Sequence, residues 1–194
     1  MITVVSGLPR SGTSLMMQML AAGGMTVLSD GERQADADNP RGYYEWERIK
    51  LLPQQPHCIQ EAEGKVVKVI SQLLFALPSA HDYRIIFMQR PLAEVVASQS
   101  EMIRRRGTTG AALPPGALIA GLQAHLNQVN AWLAEKGNIS VYRVDHSEAL
   151  RDPRSVCQSV QEFLQNPLDV LAMSRQIDVS LYRQRSPTDI PRTV

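Results

Sequence analysis

Gly7-Leu8-Pro9-Arg10-Ser11-Gly12-Thr13-Ser14 separates two apolar segments at the start of this 194-residue chain. Before it lies a β-branched run, Ile2 to Val5, and after it the stretch LMMQMLAAGG. In that second stretch Leu15, Met16, Met19 and Leu20 share one helical face, and Gly23-Gly24 supplies the stop. A strand, a glycine loop and a helix form the opening of a βαβ unit. The glycines keep the spacing of the phosphate loop G-x-x-x-x-G-K-[ST], with Thr13 in the lysine position. Glycines let backbone amides turn inward, and a helix starting near Gly12 presents N–H groups and a positive dipole end to an anion. The lysine that would reach the β/γ-phosphates of a nucleoside triphosphate is absent, and Arg10 places a cation inside the loop instead. This substitution disfavours ATP or GTP hydrolysis and leaves anion binding intact.

Outward from the loop, residues 29–42 are polar, turn-rich and aperiodic, as a surface loop or lid would be. A short helix is expected over Tyr44 to Leu52, broken by Pro53 and Pro56. Lys65 to Ile70 and Arg84 to Met88 read as the second and third strands, and Pro91 to Arg105 as a helix with proline in its first turn. Residues 107–116 form a linker, followed by a long helix over Ala117 to Glu135. Ile139 to Val144 reads as a fourth strand. Asp152-Pro153 then opens a helix that runs to Leu164. One more short helix and a polar tail complete the chain. Strands alternating with helices predict a three-layer α/β domain spanning 1–194, its parallel sheet covered on both faces. Ligands in such sheets bind beyond the carboxyl ends of the strands, where each motif falls.

Apolar residues make up 44% of the chain and charged residues 20%, with a net charge of +1. That balance gives no reason to expect nucleic acid or an anionic membrane as a partner, so an anion site must be a local arrangement. Cys58 and Cys157 match no metal or redox spacing and read as reduced thiols. No apolar run reaches the length of a membrane span, and the N-terminus lacks a secretory pattern, so a soluble, cytoplasmic protein is expected.

LPRSGTSLMMQML resembles the 5′-phosphosulfate loop of sulfotransferases that use 3′-phosphoadenosine 5′-phosphosulfate (PAPS), whose pattern is roughly Y-P-[KR]-S-G-T-[ST]-x-L. The match runs from Pro9 to Ser14 without a gap and is nearest to bacterial and tyrosylprotein-type members. The resemblance implies a P-loop-like fold whose parallel sheet has about four or five strands. It also implies PAPS bound by Pro9, Arg10, Ser11, Gly12, Thr13 and Ser14, with Arg10 beside the transferring sulfuryl group. The family's 3′-phosphate motif is an arginine at a strand end and a serine eight residues later. Arg90 and Ser98 in FMQRPLAEVVASQ reproduce it. An arginine there can fork two phosphate oxygens, and the serine adds a hydroxyl.

Asn39-Pro40-Arg41-Gly42-Tyr43-Tyr44-Glu45 resembles the N-P-x-G-[YFW]-[YFW]-E segment of bacterial members. The K-T-H sequence of cytosolic members is here Lys68-Val69-Ile70, so Lys68 stays and the histidine is gone. Glu45 then becomes the candidate base, or else a helix-surface carboxylate, and Lys68 reads either as a contact to the bridging oxygen or as an end-of-strand solvent cation. His146 occupies a stretch where relatives often carry tyrosine, and reads either as an adenine-stacking ring or as a plain loop histidine. Arg183 and Arg185 would supply C-terminal cations over the 3′-phosphate, although the usual R-K-G is not present. The resemblance thus implies sulfuryl transfer from PAPS, leaving PAP (3′-phosphoadenosine 5′-phosphate), to a hydroxyl or amine acceptor on a small molecule or peptide, without a metal. It leaves a homodimer open. Two other readings stand beside it: a P-loop small-molecule kinase, and an adenine-nucleotide-binding domain that catalyses nothing.

Overall fold

The computed structural model describes residues 1–36, 39–105, 107 and 113–178. Five strands form one all-parallel sheet: β1 (Ile2–Gly7), β2 (Val27–Leu28), β3 (Val66–Lys68), β4 (Tyr83–Gln89) and β5 (Ile139–Asp145), in the spatial order β2-β3-β1-β4-β5. β1 lies centrally, with Val5 opposite Lys68 on one side and Ile86 on the other. This register brings Gly7, Lys68 and the residues after Gln89 to the same edge.

Side-chain alternation along the strands divides the interior into two cores. Ile2, Val4, Val67, Tyr83, Ile85 and Phe87 face one layer, where Ile49, Leu52, Ile59, Leu74, Val129 and Leu133 meet them. Val5, Val66, Ile86, Met88 and Val144 face the other, packed by Met16, Met17, Met19, Leu20, Val156, Val160 and Met173. The second layer consists of α1 (Thr13–Ala22), α4 (His146–Arg151), α5 (Pro153–Leu164) and α6 (Val170–Ser174). The first holds α3 (Pro115–Ala134) and three 3-10 turns, over Glu47–Leu51, Pro56–Ala62 and Ser71–Ala76. α2 (Leu92–Arg105) packs against α3. Both faces of β1 are covered, which explains why ITVVSG carries no alternation of polar residues.

The expected helix over Tyr44 to Leu52 is corrected. Residues 43–46 are not helical, and a 3-10 turn begins only at Glu47. Tyr44 takes a left-handed conformation (φ 52°), and the Tyr43 carbonyl accepts from Lys68 Nζ instead of from a helical amide. Besides the 3-10 turns over Pro56–Ala62 and Ser71–Ala76, β2 and α4 were not read from the residues. β2 is two residues long, too short for periodicity. α4 follows β5 directly, its N-terminus capped by Asp145, whose carboxylate accepts from the amides of Ser147 and Glu148 at 2.8 and 3.2 Å. Asp145-x-x-Glu148 is a helix-start signature that marks it. No helix among the described residues is long and apolar enough to cross a membrane.

Candidate functional site

The loop after β1 is built so that two positions admit only glycine. Gly7 has φ 146°, and a Cβ there would stand 2.5 Å from Ser11 Oγ and 2.7 Å from the Met88 carbonyl oxygen. Gly12 has φ 102°, and its Cβ would meet His146 Cδ2 at 2.5 Å. Gly12 caps α1 without a side-chain hydrogen bond, so the first-turn amides of α1 remain donors at the loop. Ser11 Oγ is buried and has no hydrogen-bond partner among the described residues.

Arg10 adopts φ 75°, a left-handed conformation that costs a non-glycine residue about 1–2 kcal/mol. Contacts from α2 and the strand end before it hold the loop in this shape. Arg10 Nε donates to Ser98 Oγ at 2.9 Å, Arg90 NH1 donates to the Arg10 carbonyl at 3.1 Å, and Gln99 Nε2 donates to the Pro9 carbonyl at 3.1 Å. The two motifs read separately in the sequence are therefore one bonded unit. Arg90 Nε also donates to Glu94 Oε2 at 2.9 Å, and both of these side chains are buried.

Across the cleft lies a second ionic group. Lys68 Nζ donates to the Tyr43 carbonyl and to Ser14 Oγ at 3.2 Å, and stands 3.3 Å from Glu45 Oε1. Burial lowers its ammonium to about 8, against the opposing pull of the Glu45 carboxylate. Glu45 Oε1 also accepts from Arg33 NH1 at 2.8 Å, and the Arg33 guanidinium lies 3.3 Å above the Tyr43 ring. Tyr43 OH donates to Asp36 at 2.7 Å; burial and that hydrogen bond together raise the phenol.

Arg33 and Tyr43 line one cleft of about 270 Å³ at the carboxyl edge of the sheet, together with Leu15, Ile70, Met102 and Leu150. Pro9, Arg10, Gly12, Thr13, Ser14, Glu45, Lys68 and Arg90 reach it. Ser98 is joined to it through Arg10, and Ser11 lies beneath the loop. Arg183 and Arg185 lie outside the described residues. His146 belongs to the cleft wall and is nearly buried against Gly12. Sequence reading missed Arg33 and Glu94. Arg33 sits in an aperiodic segment that gives no signal, whereas Glu94 stands four residues after Arg90, the spacing of a helical ion pair.

A parallel sheet with a glycine loop feeding its first helix and cations gathered at the carboxyl edge is the architecture of P-loop-like proteins. Solved structures specify it further. A sulfotransferase domain from the curacin biosynthetic pathway superposes with a TM-score of 0.54 at 16% identity, over 96% of this chain and 92% of that one. A sulfotransferase from Mycobacterium avium gives 0.58 at 14% identity, over 95% and 69%. A mouse sulfotransferase complexed with PAP gives 0.54 at 15%, over 97% and 67%. No protein-family model and no curated protein sequence matches the chain. The fold is the sulfotransferase fold, in agreement with the resemblance read from the residues.

Proposed function

We propose that this chain transfers a sulfuryl group from PAPS to a hydroxyl or amine acceptor, without a metal. The observation that carries the reading is the bonded unit of Arg10, Ser98 and Arg90 beside a glycine loop, with Arg10 and Arg90 lining one cleft. The residues present fit a phosphosulfate: the first-turn amides of α1 are donors at the loop, and the buried Ser11 hydroxyl has no protein partner among the described residues. In this reading the loop amides, Ser11, Thr13 and Ser14 hold the 5′ end, while Arg90 and Ser98 hold the 3′-phosphate, the group that distinguishes PAPS from ATP. A serine hydroxyl can accept from Arg10 while donating to a phosphate, so Ser98 serves both ends at once.

PAPS supplies the sulfuryl group. The acceptor oxygen forms the new bond to sulfur, the bond from sulfur to the bridging oxygen breaks, and PAP departs with that electron pair. Arg10 and the loop amides face the charge that develops on the sulfuryl oxygens, and Lys68 faces the bridging oxygen. Glu45 takes the acceptor proton. Its Oε1 already accepts from Arg33 and Lys68, which aim the carboxylate into the cleft.

The test is incubation of the purified chain with labelled PAPS and a panel of phenols, alcohols, amines and peptides, read by mass gain of one sulfuryl group. Thermal midpoints with PAP, PAPS and Mg-ATP run in parallel. A ligand at 100 times its Kd stabilises the chain by about 2.7 kcal/mol. PAP and PAPS should produce that shift, and Mg-ATP much less. Equal stabilisation by Mg-ATP would favour a kinase. Tight PAP binding without transfer to any acceptor would favour a binding domain.

A further inference from the structure

We infer that Glu94 is a positioning residue for the 3′-phosphate half of the cleft: it fixes the plane of the Arg90 guanidinium and thereby sets discrimination for nucleotides carrying a 3′-phosphate. The inference rests on the donor reading above and adds to it a carboxylate that neither the motif nor the resemblance assigns.

Glu94 lies in the first turn of α2 and its side chain is 3% exposed, while that of Arg90 is 8% exposed. Placing a carboxylate in a helix's first turn is favourable by itself. Exposed Ala93, in the same turn, would offer that benefit without desolvation. Burying an ion costs several kcal/mol unless a partner with good geometry offsets it, and here the partner is Arg90. The guanidinium is planar. Its Nε is tied to Glu94 Oε2 at 2.9 Å and its NH1 to the Arg10 carbonyl at 3.1 Å, and two anchors at different nitrogens define the plane. Without Glu94, the arginine keeps the anchor on the glycine loop and loses the one that holds Nε. A phosphate would then have to order it on binding. Glu94 also carries a cost, because its negative charge opposes an incoming anion. It is retained in this reading because an ordered fork serves a phosphate better than a mobile cation does.

The test measures equilibrium binding of PAP and AMP, which differ by the 3′-phosphate, to wild type and to the Glu94→Ala, Glu94→Gln and Glu94→Asp variants. Wild type should prefer PAP. Glu94→Ala should lower PAP affinity by about tenfold, the scale on which outer partners tune a directly binding group, and leave AMP affinity nearly unchanged. Glu94→Gln keeps an oxygen that accepts from Nε at the same reach and should retain most of the preference. Glu94→Asp keeps the charge but is one methylene shorter, and should behave like Glu94→Ala. If the alanine variant fails to unfold cooperatively, the comparison of Gln with Asp decides. An unchanged PAP-to-AMP ratio in the alanine variant, or an aspartate variant equal to wild type, overturns the role of Glu94 alone. A wild-type chain without preference for PAP overturns the donor reading itself.

Discussion

Replacing His146 with glutamine should abolish a stability loss of about 2–3 kcal/mol that the wild type undergoes between pH 6.5 and pH 4.5. The ring lies against Gly12 and is nearly buried. Burial disfavours the imidazolium, and Arg90 nearby adds to that, so the ring titrates at about 4 despite the opposing carboxylates of Glu94 and Asp145. The unfolded chain binds this proton near 6.5, so between 6.5 and 4 it holds more protons than the folded chain does. Stability must therefore fall as pH drops through that window and stay level above it. A displacement from 6.5 to about 4 corresponds to about 3 kcal/mol, of which about 2–3 kcal/mol is already lost at pH 4.5. Urea unfolding of wild type and His146→Gln at pH 7.0 and 4.5 gives the difference directly. The remaining histidines are common to both proteins and cancel. Asp145, whose hydrogen bonds from Ser147 and Glu148 outweigh the effect of burial and hold it below the usual carboxylate value, titrates below the window. The stability difference between wild type and variant should shift against wild type by about 2–3 kcal/mol on acidification. A difference that is the same at both pH values would refute the buried, neutral imidazole.

Gly12→Ala should destabilise the fold by at least about 1–2 kcal/mol from the left-handed backbone alone, with the His146 contact adding to it. Chemical denaturation measures the loss, and PAP binding should disappear with it. Arg90→Ala should weaken PAP binding by roughly 1.5–3 kcal/mol, the scale of charge-assisted hydrogen bonds, with Ser98→Ala costing less; calorimetric titration distinguishes them. Glu45→Gln should leave PAPS affinity in place and lower turnover by about 10²–10⁴-fold. Arg10→Ala should reduce both binding and turnover, since its cation acts in the ground state and more strongly in the transition state. Single-turnover assays with PAPS and an unsulfated acceptor identified by the panel separate the two.

The residues alone determined the strand, glycine loop and first helix, because a β-branched run, fixed glycine spacing and a 3.6-residue apolar period are local properties. They likewise placed β3, β4, β5 and α5 closely, since caps and apolar runs mark those elements. Arg10 was legible as an anion-binding candidate from its place in the glycine loop, whereas Arg90 and Ser98 were marked by their resemblance to the family's 3′-phosphate motif. The tertiary structure alone decided whom they touch. Arg10 bonds to Ser98 from 88 residues away, and Arg90 to the Arg10 carbonyl from 80, because β4 lies beside β1 in the sheet. The same order places β3 on the other side of β1, so Lys68 meets Tyr43 and Glu45 across the cleft. The Tyr43 carbonyl that accepts from Lys68 is thereby withheld from the helix that local pattern predicts there. Periodicity records which face of a segment is buried, whereas the burial of His146 under Gly12 depends on which strands become neighbours, a long-range choice that no local window of sequence contains.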